Sequence, residues 1–204
     1  MVKRAEGNSS DRRQFLTVLG GGLLLAGCAG GNTPAAFYGL SASVPSEVAG
    51  RSRGVQVLVK RPRALKTLDS EYIAVVDKGP VFSYFPKAAW TDSLPSVVQT
   101  KLVQTLQGTG RFRGVGFPGD GLLIDYQLLT ELRAFELQID GPNRGVVEIS
   151  AKLVNDRNGR TIGSRGFRAE ARSPGTTVEQ AVEALNTAAD QVFAEMAAWI
   201  VQKV

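Results

Sequence analysis

The residues closest to an acid/base arrangement are two carboxylate pairs, Asp69 with Glu71 and Asp125 with Glu131. Proton transfer at neutral pH needs two such groups whose surroundings push their pKa values apart. Asp125 and Glu131 fall on the polar side of an alternating segment, so solvated charges are expected there, with a carboxylate hydrolase as the alternative. Nucleophilic catalysis by serine or cysteine needs an imidazole to take the proton, and the 204 residues hold no histidine. Cys28 is the single cysteine. It can form no intrachain disulfide, and zinc sites built on histidines or several thiolates are excluded as well. Gly108-Thr109-Gly110 and Gly114-Val115-Gly116 have the glycines of a phosphate loop. Neither opens a helix after a strand with a following Lys-Ser/Thr, so both are expected as turns. These residues offer no convincing catalytic set, and neither a cofactor nor a metal is expected.

The one thiol has a different use. Lys3, Arg4, Arg12 and Arg13 precede an apolar stretch over 15–25, which ends in Leu25-Ala26-Gly27-Cys28. A basic start, a short apolar run and small residues before a cut define a secretory signal. The run falls short of the ~20 residues of a spanning helix, and Gly20, Gly21 and Gly22 weaken it further, which argues against a short membrane anchor. Leu-Ala-Gly-Cys resembles the bacterial lipobox, in which the cysteine is diacylated on sulfur, becomes the new N-terminus and is acylated there too. Each buried methylene contributes ~0.8 kcal/mol, so several chains hold a protein stably in a bilayer. Residues 1–27 are thus expected to be a signal peptide, 28–36 an acylated tether and 37–204 the folded domain. Asp11-Arg12-Arg13-Gln14-Phe15-Leu16 resembles a twin-arginine export motif, with ordinary n-region charge as the alternative. Ala29 follows Cys28 where an aspartate would favour inner-membrane retention. This points to the periplasmic face of the outer membrane in a Gram-negative bacterium.

The elements that must carry any surface follow from periodicity. With 43% apolar and 21% charged residues the composition is globular. A formal net charge of +5, milder still once the signal is removed, does not indicate nucleic acid. Strands are predicted over 37–40 and 55–59, and as a hairpin over 72–76 and 81–85 around Asp77-Lys78-Gly79-Pro80. A helix is predicted over 94–107, capped by Asp92 or Ser93, with Pro95 in its first turn and Gly108 as its stop. Residues 122–139 alternate as one long strand, but the apolar phase inverts between Ala134 and Phe135, which predicts a β-bulge. Val147, Ile149, Ala151 and Leu153 alternate again, and 160–171 completes an antiparallel meander. Thr176-Thr177-Val178-Glu179 matches a capping box before a 3.6-residue period through Ile200. The fold class predicted is α+β: a two-layer sandwich of a mostly antiparallel sheet with two main helices on one face.

Two surface features stand out. Phe82, Tyr84, Phe85 and Trp90 fall within nine residues. Alternation sends Phe82 and Tyr84 to one hairpin face and Val81 and Phe85 to the other, and only one face can lie beneath the helices. The other is either an exposed partner or lipid contact or is covered by a further strand or the N-terminal segment. Arg51, Arg53, Lys60, Arg61 and Arg63 form a basic run. It is expected as a solvated edge, with a headgroup or acidic-partner contact as the alternative.

Several short motifs then combine. Phe37-Tyr38-Gly39-Leu40 follows the lipobox, Val55-Gln56-Val57-Leu58-Val59 stands near Pro62, and Tyr72-Ile73-Ala74-Val75-Val76 opens the hairpin. Tyr84-Phe85-Pro86-Lys87-Ala88-Ala89-Trp90-Thr91-Asp92-Ser93-Leu94-Pro95 joins an aromatic hairpin end to a Leu-Pro helix start. With these, nearly the whole chain after Cys28 resembles the ABC-type transport auxiliary lipoproteins, the PqiC-like family. The twin-arginine-like signal departs from that pattern and leaves the export route open. The resemblance implies a non-enzymatic protein that accompanies an ABC permease, a cytoplasmic ATPase and a periplasmic MCE-domain protein that binds lipid. It would anchor or receive that machinery at the outer membrane during phospholipid or sterol-like lipid traffic, with a possible lipid ligand of its own. The alternative is a structural lipoprotein of outer-membrane assembly with no transporter partner.

Overall fold

The computed structural model describes residues 34–41, 50–79 and 81–204, so Arg12, Arg13 and Cys28 lie outside the described residues. In chain order the elements are β1 (Ala36–Tyr38), β2 (Gln56–Val59), β3 (Arg63–Ala64), β4 (Tyr72–Val76), β5 (Phe82–Trp90), α1 (Leu94–Gly108), β6 (Gly114–Gly116), β7 (Tyr126–Gln138), β8 (Arg144–Asn155), β9 (Thr161–Arg172) and α2 (Val178–Lys203). The strands join in one nine-stranded sheet. The predicted α+β class, a mostly antiparallel sheet with two helices, is the fold observed.

The alternating segments build the meander. β8 pairs antiparallel with β7 from Tyr126↔Asn155 to Gln138↔Arg144, and with β9 from Arg144↔Arg172 to Val154↔Thr161. Leu128, Leu132, Phe135 and Leu137 of β7, with Val147, Ile149, Ala151 and Leu153 of β8 and Phe167 of β9, are buried. The β7–β8 register shifts between Leu132 and Ala134. The extra residue, Arg133, brings Phe135 and Leu137 onto the face already occupied by Leu128 and Leu132; the bulge thus exists as predicted but comes before Ala134, which pairs with Glu148, and not between Ala134 and Phe135. The strand is shorter than predicted, because 122–125 lie outside the ladder.

A strand has two edges, and β8 fills one edge of β7 along its length. The other edge is shared in tandem: Val57–Val59 of β2, then β3, then Ala74–Val76 of β4 run beside β7 in the same direction. Pro62, which has no backbone N–H to donate, falls where the first of these segments breaks off. β6 extends β2 in parallel, β5 pairs antiparallel with β4, and β1 pairs in parallel with β5. Long antiparallel ladders therefore dominate, while each short segment except β5 joins in parallel.

α2 packs on β7, β8 and β9, and α1 packs beside it and against β2 and β6. Val182, Leu185, Ala189, Val192, Phe193, Met196 and Ile200 form the buried stripe of α2. Its cap is one residue later than predicted: Thr177 and Gln180, rather than Thr176 and Glu179, exchange the reciprocal capping bonds. α1 begins at Leu94 after Ser93 and takes Pro95 into its first turn. It runs through Gly108 instead of stopping there. The left-handed residue that ends the segment is Gly110, at φ 63°. The predicted turn at Gly114-Val115-Gly116 is β6, an edge strand in which a side chain at Gly116 would meet Asp120 Oδ2 at 2.5 Å and Leu122 Cδ1 at 2.8 Å.

Candidate functional site

β5 is two strands in one. Its partners on β4 jump from Tyr84, opposite Ala74, to Ala89, opposite Tyr72. The intervening Phe85-Pro86-Lys87-Ala88 bulges out of the ladder, with Lys87 at φ 56°. Proline cannot donate to a ladder, and a non-glycine residue at positive φ costs of order 1–2 kcal/mol, so this bulge is a strained point held by its surroundings. It separates an exposed aromatic half of the strand from a buried one.

In the buried half, Ala88, Ala89 and Trp90 enter the core. Trp90 meets Phe135 edge-on at 5.7 Å between ring centroids. It is 1% exposed and offers no surface to a partner, which corrects its place among the predicted contact residues. Strand β5 runs on to this residue, beyond the predicted end of the hairpin at 85. Phe85 is half-buried and packs against Val75, Leu137 and Ala181.

In the exposed half, Phe82 is 37% and Tyr84 38% exposed, and Val81 just before the strand is 61% exposed. Tyr72, read from the sequence only as a strand residue, joins them: its ring lies 5.5 Å from that of Tyr84, tilted by 48°. The Tyr84 hydroxyl donates to the carbonyl of Thr67 at 3.2 Å, so the ring is fixed at its hydroxyl and at its contact with Tyr72 while staying partly open to solvent. Of the four aromatic candidates, the fold brings Phe82 and Tyr84 together at the surface and turns Phe85 and Trp90 inward. The signal for Tyr72 was its position in the strand that Tyr84 must pair with.

The segment that leads into the domain is pinned to α2. The Tyr38 hydroxyl donates to Glu179 Oε1 at 2.9 Å, and the Ser41 backbone N–H to Asn186 Oδ1 at 2.6 Å. That bond to the carboxylate raises the Tyr38 pKa, and backbone and Tyr38 hydrogen bonds hold Glu179 below the usual range. Leu40 of the same stretch is buried.

Of the four carboxylates weighed for catalysis, Asp125 and Asp69 are used structurally. Asp125 accepts the Gln56 N–H at 3.0 Å and the Arg157 guanidinium at 3.0 Å, and the former chiefly holds its pKa below the ordinary carboxylate value. Asp69 pairs with Arg61 at 2.8 Å. On the sheet face away from the helices, Arg168 bridges Glu148 and Glu170 at 2.9 and 2.7 Å. Among the described residues, no helix is long and apolar enough to cross a membrane.

Comparison with known proteins follows this architecture. Residues 38–197 match the model of the ABC-type transport auxiliary lipoprotein component. An uncharacterized protein of Bradyrhizobium diazoefficiens is 27% identical over 176 residues, which cover 84% of this chain and 47% of that protein. The chain thus spans about half the length of that relative. Among solved structures, a Xanthomonas campestris protein superposes with a TM-score of 0.75 at 23% identity, covering 82% of this chain and 95% of its own. A second crystal structure, of an uncharacterized protein, reaches 0.61 at 17% identity over 84% of this chain and 98% of its own. At these identities the two structures establish likeness of fold.

Proposed function

The chain belongs to the ABC-type transport auxiliary lipoprotein component family, and from that membership we propose that it is the lipid-anchored auxiliary subunit of an MCE-type ABC transporter. In this reading acyl chains on Cys28 hold the domain at the periplasmic face of the outer membrane. The permease and ATPase supply energy at the inner membrane, the MCE protein crosses the periplasm with phospholipid or sterol-like lipid, and this subunit docks or receives it without catalysis. The family match over 38–197 is the observation that carries the proposal. The aromatic half of β5 supplies the contact: Phe82 and Tyr84, with Tyr72 beside them, form the kind of exposed apolar surface that marks partner sites.

Affinity capture of the acylated full chain from crosslinked membranes, followed by mass spectrometry of proteins and lipids, tests this directly. Recovery of the MCE protein with permease and ATPase is the expected result. Tyr84→Ala should weaken that capture by ~1 kcal/mol or more, about fivefold in affinity. Its melting temperature should stay near that of the parent, since the lost ring is a surface ring. Unchanged capture by the folded variant would remove this surface from the interface. Recovery of outer-membrane assembly factors without transporter subunits would favour the structural-lipoprotein alternative.

A further inference from the structure

On the helix-free face of the sheet, a groove of about 470 Å³ is lined by Lys60, Arg61, Arg63, Leu129, Glu131, Ser150, Lys152 and Ser164, with Thr130 and Ala151. That volume is in the range of small-ligand sites rather than of a protein interface. The cations arrive from separate parts of the fold. Lys60, Arg61 and Arg63 come from β3 and the turn before it, on one edge of β7, and Lys152 comes from β8 on the other. Lys152 stands directly opposite Leu129 in the ladder. Arg61 is engaged by Asp69. Lys60, Arg63 and Lys152 have no ion-pair partner among the described residues, nor has Arg172 at the end of β9, whereas Arg133, Arg144, Arg165 and Arg168 are paired.

We infer that this groove binds a phosphate-bearing ligand, specifically the phosphodiester headgroup of an anionic lipid. Three cations approaching from two sides match an anion with several acceptor oxygens, and an arginine fork with flanking lysines suits phosphate. The hydroxyls of Ser150 and Ser164 add neutral donors. Glu131 places an acceptor at the same groove, which suits a headgroup hydroxyl and disfavours a ligand made of carboxylates alone. Leu129, 36% exposed, gives an apolar contact that a free phosphate ion would not use. The lipid source of the phosphate rests on the transport reading above; the phosphate chemistry rests on the groove itself.

The test measures binding to the acylated full chain in uncharged detergent by calorimetry. The probes are dihexanoyl-phosphatidylglycerol, dihexanoyl-phosphatidylcholine, inorganic phosphate and a short polyglutamate. Saturable binding of the phosphatidylglycerol probe is expected, weaker at high salt and weaker still for phosphatidylcholine. Arg63→Glu with Lys152→Glu should lower the affinity at least tenfold, while Arg160→Glu with Arg172→Glu, of the same charge change, should not. Both double variants should melt like the parent. Phosphate and phosphatidylglycerol binding equally well would uphold the anion site and reassign its source to free phosphate. No binding of either phosphate probe, tighter binding of polyglutamate, or equal losses in the two double variants would overturn the inference. Capture of transporter subunits is scored separately. Parent protein that captures them but binds no headgroup overturns the groove alone, and protein that binds the headgroup but captures none overturns only the transport reading.

Discussion

Glu136 is a charge placed where a sheet of this kind ordinarily puts an apolar residue. It is 5% exposed, accepts the Phe135 N–H at 2.7 Å and the Gln138 side-chain amide at 3.1 Å, and is raised in pKa chiefly by loss of water. A carboxyl whose folded pKa is raised holds its proton more tightly in the folded state. Its favourable contribution is complete below the ordinary carboxylate value and is lost as pH rises through the folded value. Asp125 has the opposite sign: its lowered pKa stabilises above the ordinary value and is lost as pH falls through the folded one. Glu136→Gln removes the first effect while keeping an acceptor for the Phe135 N–H. Thermal melts across pH should therefore show the variant more stable than the parent at pH 7, with the gap closing toward pH 4. A constant gap at all pH values would mean that Glu136 is not held against its charge. Alternation along the strand expressed neither effect. The sequence showed which side of a strand a carboxylate lies on, but not that neighbouring side chains would cover it.

Among the elements, the tightest approach is between α2 and β8. A Cβ built on Gly145 would lie 2.7 Å from the Ala184 carbonyl carbon and 2.7 Å from the Leu185 nitrogen, both backbone atoms of α2. No side-chain rotation can relieve such a contact, so Gly145→Ala must push the helix from the sheet. Overpacking of this kind costs ~1–3 kcal/mol or more, and a clear fall in melting temperature is expected. Gly159→Ala makes a useful contrast: its Cβ meets nothing within 4 Å, and only its left-handed φ of 70° opposes it. An equal fall in both would place the effect in backbone freedom and not in helix–sheet packing. The elements with strong periods were legible from the sequence: the meander, its bulge, α2 and the body of α1. Period and bulge are written in adjacent residues, each side chain declaring its face. The tandem edge of β7 was not legible, because three segments separated by Pro62 and by a turn share one partner more than sixty residues away. β6 was hidden for a related reason, since three residues with two glycines carry no alternation. The aromatic surface was half legible. Alternation separated Phe82 and Tyr84 from Phe85, but burial of Trp90 depends on a bulge at Pro86–Lys87 that only pairing with β4 reveals. The basic groove needs Lys152 beside Arg63, a neighbourhood created by the tandem edge and absent from the linear run.

For the whole molecule, the deciding relation is between the folded unit and its point of attachment. Residues 34–204 form a compact unit by themselves, and β1 is its first strand, paired with the buried end of β5. Ala36 follows Cys28 by eight residue steps. At 3.3–3.6 Å per residue they span at most ~28 Å. Acylation at Cys28 would thus keep the start of β1 within about that distance of the lipid surface. A subunit so tethered meets partners and lipid from a narrow layer above the membrane, which raises its local concentration there without any added contact. Cys28→Ser separates anchoring from folding. The thiol is the acylation nucleophile, so the variant should carry no acyl label and remain as uncut precursor. Because residue 28 lies outside the compact unit, the precursor solubilised in detergent should melt as the parent does and still bind the phosphatidylglycerol probe. Capture of transporter subunits from intact cells should fall, since the domain is no longer delivered to its layer. Palmitate labelling, a size shift on gels and membrane fractionation read the outcome together. Mature, membrane-bound protein from the serine variant would refute acylation at this residue, whereas a precursor that no longer melts cooperatively would show that the tether also contributes to the fold.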